Sequence, residues 1–264
     1  MHKRHILLLI KTLLLLVHSY TFAQQATGVV YYEDIESLGA PGANLKPFNA
    51  ALYFSPEVAL YVTRIDSLEN GKKNISKTYT DANGAVKGIK SSSTDKGLFN
   101  ITYRKESKLI SNARFKSNFT YQEALPEISW KISNQSKEIG GIKAIKATTK
   151  FRGRNYTAWF SPEIAVPLGP WKLQGLPGLI LEAHDDHKEI HFIFKKIVYP
   201  YKGKILFPEV KGNLPDLTAL KREQDLNYEN NLKYQRAIAE QYAGSISTEG
   251  KTTEYRKRYF EIFE

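Results

Sequence analysis

Apolar and polar residues alternate with a period of two along most of this chain, and this pattern predicts β-strands. The alternation is clear in residues 26–34 (ATGVVYYED), 98–105 (LFNITYRK) and 189–199 (EIHFIFKKIVY). These stretches are rich in β-branched and aromatic residues and are bounded by Gly, Asn, Asp or Pro, as half-buried strands are. The pattern therefore predicts a mainly β (α+β) fold, built on a curved antiparallel sheet or a half-barrel.

A different pattern covers residues 217–242. This stretch contains no Pro or Gly, is rich in helix formers, and follows Pro215 and Asp216, which are typical of a helix start. We therefore expect a helical segment near the C-terminus over residues 217–242. Its regularly spaced apolar residues are six positions apart and are Leu220, Leu226, Leu232 and Ile238. Because that spacing distributes them around the helix, only part of the helix is expected to pack.

The first residues predict export. A basic leader (MHKRH) precedes an apolar stretch that closes on small residues at Ala23, which is the pattern of a secretory signal peptide. Lys11 interrupts the apolar stretch, which is also shorter than the roughly 20 apolar residues that span a bilayer. We expect residues 1–23 to be a cleaved signal peptide and residues 24–264 to form a single β-rich domain. The mature chain is then periplasmic or secreted and does not span a membrane.

Charge and cysteine content narrow the range of partners. The chain has no cysteine and a formal net charge of +11, so disulfide and thiolate chemistry are excluded. Removal of residues 1–23 takes away Lys3, Arg4 and Lys11 and no acidic residue, which lowers the charge by three to +8. A basic surface suits anionic envelope components, although a lysine-rich solvated surface explains it more simply. The basic residues are scattered through the strands, and export also argues against nucleic acid.

The run GLPGLI at residues 175–180 predicts a backbone corner. Pro177 fits the first central position of a type II turn, and Gly178 fits the second, where φ is positive. The apolar stretch that follows is typical of a strand, whereas a phosphate-binding loop would place successive glycine amides at the start of a helix. We interpret the region as a structural motif formed by Gly169, Pro170, Trp171, Gly175, Leu176, Pro177, Gly178, Leu179 and Ile180.

The middle of the chain carries a specific set of further motifs between residues 128 and 183. They are Trp130, Gly141, Lys146-Ala147, Arg152-Gly153-Arg154, Ala158-Trp159 and the structural motif just described. In these residues the chain resembles the GLPGLI family of exported bacterial proteins. The resemblance implies an exported β-rich fold and an envelope role beside outer-membrane transport proteins. It implies no reaction, because the function of the family is not established.

One position departs from that resemblance. Ala144 stands where we expect many members of the family to carry cysteine. A disulfide or thiol role shared within the family would therefore not extend to this chain.

Every histidine of the mature chain lies in the segment HDDHKEIH, residues 184–191. A hairpin that turns at Asp185 to Lys188 would place His184 opposite Glu189, and Glu182 opposite His191. One face of this hairpin would be apolar and would carry Leu179, Leu181, Ala183, Ile190, Phe192 and Phe194. The other face would gather imidazoles and carboxylates.

Imidazole and carboxylate ligands suit zinc or copper, so the hairpin is a candidate metal site. The candidate ligands are Glu182, His184, His187, Glu189 and His191. The simpler interpretation is that cross-strand Glu and His pairs stabilise a solvated face without any metal. We therefore expect no cofactor, with zinc or copper as the alternative.

No catalytic residues are predicted. The chain contains no G-x-S-x-G, H-E-x-x-H or P-loop motif, although a hydrolase that uses only carboxylates would leave no spacing signature. The best functional hypothesis is a non-catalytic binding or accessory protein for an envelope component or an outer-membrane transport protein. One alternative is a carrier of a lipid or another apolar ligand in a half-barrel cavity. A second alternative is a metal-binding protein that uses His184, His187 and His191.

Overall fold

The computed structural model describes most of the residues after the predicted signal peptide. The described ranges are 27–38, 47–63, 75–80, 86–91, 97–113, 119–242 and 259–263. Only the backbone is described for 75–80 and 86–91, and for residues 235, 238, 239, 241 and 242. The predicted signal peptide, residues 1–23, lies outside the described residues, so export stays a prediction.

Within these ranges the chain forms thirteen strands and one helix. The strands are β1 Gly28–Glu36, β2 Phe48–Phe54, β3 Val58–Thr63, β4 Ile75–Thr80, β5 Val86–Ser91, β6 Phe99–Tyr103, β7 Lys108–Asn112, β8 Thr120–Ala124, β9 Lys131–Ile139, β10 Ile142–Phe151, β11 Arg154–Ser161, β12 Leu179–Asp185 and β13 Ile190–Val198. The helix is α1, Leu217–Tyr242.

Eleven of these strands form one open antiparallel sheet in the order β8-β7-β6-β3-β2-β1-β13-β12-β11-β10-β9. Strands β4 and β5 pair separately as a hairpin. The pairing of β1 with β13 joins the N-terminal strands to the C-terminal strands. Irregularities at Tyr31/Tyr32, Ile145/Ala147 and Trp159/Phe160 interrupt the ladder, and such bulges bend a sheet. The predicted mainly β fold with an antiparallel sheet and one late helix is confirmed.

Helix α1 begins where the sequence predicts and packs only in part. Asp216 caps its N-terminus, because its Oδ1 accepts a hydrogen bond of 2.9 Å from the amide of Ala219. Leu220 is buried in a cluster with Ala113 and Tyr121, whereas Leu226 is 48 % exposed. This difference follows from the six-residue spacing of its leucines. No helix in the described part of the chain is long and apolar enough to span a bilayer.

The large sheet has an inner face that carries Tyr32, Ala158, Ala183 and Phe192, all of them buried. This face is covered by the loop 162–178, between β11 and β12, and by the C-terminal segment 259–263. The opposite, outer face is covered over β1 to β3, β6 and β7 by the segment after β13. That segment packs Tyr201, Ile205, Val210 and Leu214 against the strands.

Candidate functional site

The GLPGLI run is a corner that leads into β12, but it is not the predicted type II turn. The amide of Gly178 donates to the carbonyl of Leu176 at 2.8 Å, and the amide of Leu179 donates to Ile164 at 3.0 Å. The φ of Gly178 is +154°, whereas the second central residue of a type II turn has a φ of about +80°. The turn prediction is wrong because the loop backbone at Ile164, instead of Leu176, accepts the Leu179 amide.

Gly178 is required at this corner because two backbone segments meet there. A Cβ at this position would lie 2.1 Å from the carbonyl oxygen of Ser161. Strand β11 ends at Ser161 and β12 begins at Leu179, so the glycine brings the end of one strand against the start of the next. The motif therefore fixes the geometry with which the loop 162–178 leads back into the sheet.

The loop 162–178 is itself part of the core. Its side chains Leu168, Trp171, Leu173 and Leu176 are at most 5 % exposed. Trp171 lies 5.5 Å from the ring of Phe151 and 6.1 Å from that of Tyr156, measured between centroids. The loop thus covers the inner face, and Trp171 is a core residue.

Arg154, the first residue of β11, ties the C-terminal segment to the sheet. Its Nε donates to the carbonyl of Phe260 at 3.2 Å and its Nη2 to the carbonyl of Tyr259 at 2.8 Å. Its Nη1 donates to Asp185 at 2.7 Å and to Glu189 at 2.8 Å. The guanidinium is almost fully buried. Because two carboxylates orient it, its remaining donors are aimed at the main chain of the segment.

The segment inserts an aromatic side chain beneath the loop. The ring of Phe260 lies 4.7 Å from Trp171 and 6.3 Å from Phe192, and Phe260 is buried. At Gly153 a Cβ would lie only 2.5 Å from the carbonyl oxygen of Ile262. The Arg152-Gly153-Arg154 motif is thus the docking point of residues 259–263.

A buried ion cluster joins the loop, β8 and the C-terminal segment. The fully buried Lys172 Nζ lies 2.5 Å from Glu123 Oε1 and 2.8 Å from Glu261 Oε1. Arg152 pairs with Glu123, and its Nε lies 3.3 Å from Glu261 Oε2. Burial raises the pKa of Tyr121 well above its usual value, so its hydroxyl stays protonated and donates to Glu261 at 2.6 Å. Two cations and two carboxylates balance, which is what makes the burial of these charges tolerable.

Two cavities lie beside these covering elements, and both are small. In the described part of the chain, one cavity of about 80 Å³ lies between Trp171, Phe260 and Leu220, and another of about 10 Å³ lies near Tyr61 and Lys172. Ligand pockets usually measure about 300–1,000 Å³. Neither of these two cavities reaches the size that a lipid carrier would need.

The histidine hairpin turns one residue later than predicted. Strand β12 continues to Asp185 and β13 starts at Ile190, so that His184 lies opposite His191. The predicted pairs of His184 with Glu189 and of Glu182 with His191 are wrong. The reason is tertiary: the side chain of Asp185 is buried, where it accepts from the Ile190 amide at 3.0 Å and from Arg154.

The predicted apolar face of this hairpin is confirmed, whereas Glu189, which was predicted on the polar face, bonds the buried Arg154 instead. A register shift of two residues keeps each side chain on its face. The apolar set is buried and consists of Leu179, Leu181, Ala183, Ile190, Phe192 and Phe194.

The five candidate metal ligands do not form one group. His187 is exposed on the turn, and Glu189 accepts a hydrogen bond from Arg154 at 2.8 Å. Glu182, His184 and His191 do lie together on the outer face, where the two imidazole centroids are 5.5 Å apart. Among the described residues, no group of three or more His, Asp or Glu side chains is placed to hold a metal ion.

Glu182 is the centre of this outer polar cluster. Its Oε2 lies 2.5 Å from Lys137 Nζ, and its Oε1 lies 3.4 Å from His191 Nε2. The ammonium of Lys137 also lies 4.5 Å from the centroid of the Trp159 ring, a cation–π contact. His184 Nδ1 lies 3.0 Å from the carbonyl oxygen of Asp185. These contacts fit the simpler interpretation of stabilising cross-strand pairs.

We expect the mature protein and a His184/His187/His191 triple alanine variant to bind zinc and copper equally weakly. A structural zinc site needs four ligands, and the described residues bring only two imidazoles and one carboxylate together on this partly buried part of the outer face. Equilibrium dialysis of both proteins measures the difference. One equivalent of metal retained by the wild-type chain alone would contradict this prediction.

We expect Glu182→Gln to lower stability at neutral pH and to have no effect near pH 2. The hydrogen bond from His191, together with Lys137, lowers the pKa of Glu182 from 4.5 to about 2. A carboxyl with a depressed folded pKa stabilises the fold above its unfolded pKa, and this contribution is lost as the pH falls through the folded pKa. The difference from wild type in urea unfolding should therefore shrink between about pH 4.5 and pH 2.

Glu138→Gln, on the exposed face of β9, is the control for this series and should stay within about 0.5 kcal/mol of wild type throughout. A Glu182→Gln effect that persists at about pH 2 would mean that packing, not charge, is responsible.

Comparison with known proteins gives a short family match. A family model described as "Protein of unknown function (Porph_ging)" matches residues 151–182. That stretch holds the docking motif at residues 152–154, strand β11, the loop 162–178 and the start of β12. It agrees with the region in which the sequence resembles the GLPGLI family. No curated protein matches the chain.

Solved structures of PNGF-II show a distant likeness. The structure in space group P21 is 16 % identical with a TM-score of 0.48, and the match covers 75 % of this chain and 32 % of that one. The structure in space group C2 is 14 % identical with a TM-score of 0.47 and the same coverage. This chain thus spans about a third of the length of the structures that it matches, and a likeness at this level carries no functional conclusion.

Sequence reasoning missed the ion cluster and the docked C-terminal segment. Lys172 stands within the singled-out region, but its partners Glu123 and Glu261 are distant in the sequence. The one available signal in the sequence was the pair of arginines on either side of Gly153. This pair indicated a binding point but not that residues 259–263 bind there.

Proposed function

We propose that this chain is an exported GLPGLI-type protein of the cell envelope. It acts by binding another envelope component or an outer-membrane transport protein, and it catalyses no reaction. Export is supported by the signal-peptide pattern of residues 1–23. The family assignment is supported by the resemblance over residues 128–183 and by the family match over 151–182.

The observation that carries the proposal is the filled inner face of the sheet. The loop 162–178 and the segment 259–263 occupy the space in which a carrier would hold its ligand, and the two cavities found beside them measure about 80 and 10 Å³. Recognition of another protein, rather than storage of a ligand beneath the sheet, is then the simplest mode of action. The lipid-carrier alternative would need a chamber larger than either of these two cavities.

The buried charges support a non-catalytic role. Lys172 and Arg154 are each bound by two carboxylates inside the protein. Catalytic groups need access to a substrate in a concave pocket, whereas these side chains hold structural elements together. The charges of both side chains are neutralised by contacts within the protein.

Photo-crosslinking in the envelope tests the proposal. A photoreactive residue is introduced at His187, on the β12–β13 turn, or at Lys143, on β10, which are both exposed. The wild-type chain under the same illumination is the control. We expect a discrete adduct with another envelope protein from at least one position. Absence of any adduct from both positions counts against the proposal.

A second measurement distinguishes the proposed function from the carrier alternative. The mature protein is purified without detergent, and its organic extract is examined by mass spectrometry. A stoichiometric lipid in this extract would favour the carrier, and an empty extract fits surface recognition.

A further inference from the structure

We propose that the groove around residues 259–263 is a peptide-recognition site, which in the free chain is filled by that segment (YFEIF). The groove is formed by Arg152, Gly153, Arg154, Trp171, Lys172 and Phe192. Its partner is a segment of another protein in which an aromatic residue directly precedes an acidic one. This inference deepens the proposed function, since it names the chemistry of the partner.

The groove recognises the main chain of its occupant. Arg154 donates to the carbonyls of Tyr259 and Phe260 at 2.8 and 3.2 Å, and the carbonyl of Arg152 accepts the amide of Ile262 at 3.1 Å. These three contacts do not depend on the side chains of the segment. Because hydrogen bonds to the main chain are available to any sequence, the site can accept a segment of another chain in place of its own.

Two adjacent pockets then select side chains. Phe260 fills an aromatic pocket against Trp171 and Phe192, with centroid distances of 4.7 and 6.3 Å. The next residue, Glu261, enters the ion cluster, where Lys172 Nζ lies 2.8 Å from its Oε1. The selected sequence is therefore an aromatic residue followed by an acidic residue.

The groove requires an acid from whatever segment occupies it. Without Glu261, the buried cluster would hold the two cations Lys172 and Arg152 against the single carboxylate of Glu123. A buried charge without compensation is strongly destabilising. A segment with a neutral residue at this position would leave that charge unbalanced, so the requirement gives the site its specificity.

The chain's own segment is then a tethered competitor. Tethering gives it an effective concentration on the order of millimolar, so an external peptide binds only the fraction of molecules in which the segment has left the groove. Weakening the segment without changing the groove should strengthen peptide binding.

The test measures binding of a fluorescent peptide to the full chain. The peptide has the sequence of residues 259–263. Phe260→Ala removes the aromatic anchor from the chain's own segment and leaves the groove residues unchanged. We expect fluorescence anisotropy to show at least about tenfold tighter peptide binding to this variant than to wild type. A peptide with Gln in place of its Glu should lose most of the affinity.

Gly153→Ala is the matched control. The added Cβ clashes with the carbonyl oxygen of Ile262, so this variant displaces the chain's own segment and also closes the groove to the peptide. It should bind no peptide. Equal binding by Gly153→Ala and Phe260→Ala would overturn the assignment of the site.

Circular dichroism establishes that each variant is folded, and Glu261→Gln in the full chain is a second, independent way to weaken the segment. Failure of both folded variants to bind the peptide more tightly than wild type overturns the proposal. If the wild-type protein formed a dimer by exchanging residues 259–263, the partner would be a second copy of this chain. That result would overturn the assignment of the groove to a different protein. The peptide assay needs no envelope fraction, so its failure is distinguishable from failure of the proposed function.

Discussion

Gly178→Ala is expected to lower the free energy of unfolding by about 2–5 kcal/mol. The new Cβ would lie 2.1 Å from the carbonyl oxygen of Ser161 and 2.9 Å from the Cα of Pro162. Both neighbours are backbone atoms, so no side chain can rotate away, and overpacking of this kind costs about 1–3 kcal/mol. The positive φ of +154° adds about 1–2 kcal/mol for a residue with a Cβ. Urea unfolding measures the loss as a lower midpoint at constant slope.

Gly175→Ala is the matched control for this prediction. Gly175 also has a positive φ, of +89°, but no atom lies within 4 Å of its hypothetical Cβ. Its replacement should therefore cost only the backbone strain of about 1–2 kcal/mol. Equal losses for the two variants would contradict the close approach of Ser161 as the reason for glycine in this motif.

Lys172→Met is expected to lower the free energy of unfolding by about 3–5 kcal/mol, the usual cost of removing one partner from a buried ion pair. The methionine retains most of the volume of the lysine. It leaves the carboxylates of Glu123 and Glu261 to share Arg152 alone. Urea unfolding again provides the measurement.

Lys137→Met serves as the comparison. Lys137 also bonds a glutamate, Glu182, at 2.5 Å, but its side chain is 36 % exposed. Exposed pairs contribute about 0–1 kcal/mol, so its replacement should have a much smaller effect. A loss below about 1 kcal/mol for Lys172→Met would mean that the buried cluster does not hold the loop, β8 and the C-terminal segment together.

Local patterns predicted the elements of this fold well. The alternation of residues 26–34 became β1, and the helical stretch over 217–242 became α1 with the same limits. The apolar face of the histidine hairpin was also predicted. These features depend on side-chain periodicity and intrinsic propensity, which neighbouring residues already determine.

The register of that hairpin could not be predicted from the same pattern. Alternation assigns a side chain to a face, but it does not say where the turn begins. Aspartate is a residue type that is common in turns. The carboxylate of Asp185 is instead buried, where it accepts a hydrogen bond from Arg154, so β12 continues to Asp185. A contact between residues 31 positions apart therefore decided which residues face each other.

The sequence by itself determined the alternating strands, the helix and the buried face of β12 and β13, because each follows from the chemistry of adjacent residues. The geometry of the corner at Gly178 was decided by the approach of Ser161 and Ile164. Only the tertiary structure decided that Lys172 meets Glu123 and Glu261, and that residues 259–263 fill the inner face. Those contacts depend on how distant parts of the chain are brought together. No local pattern records that arrangement, because an isolated charge in the sequence does not specify its partner.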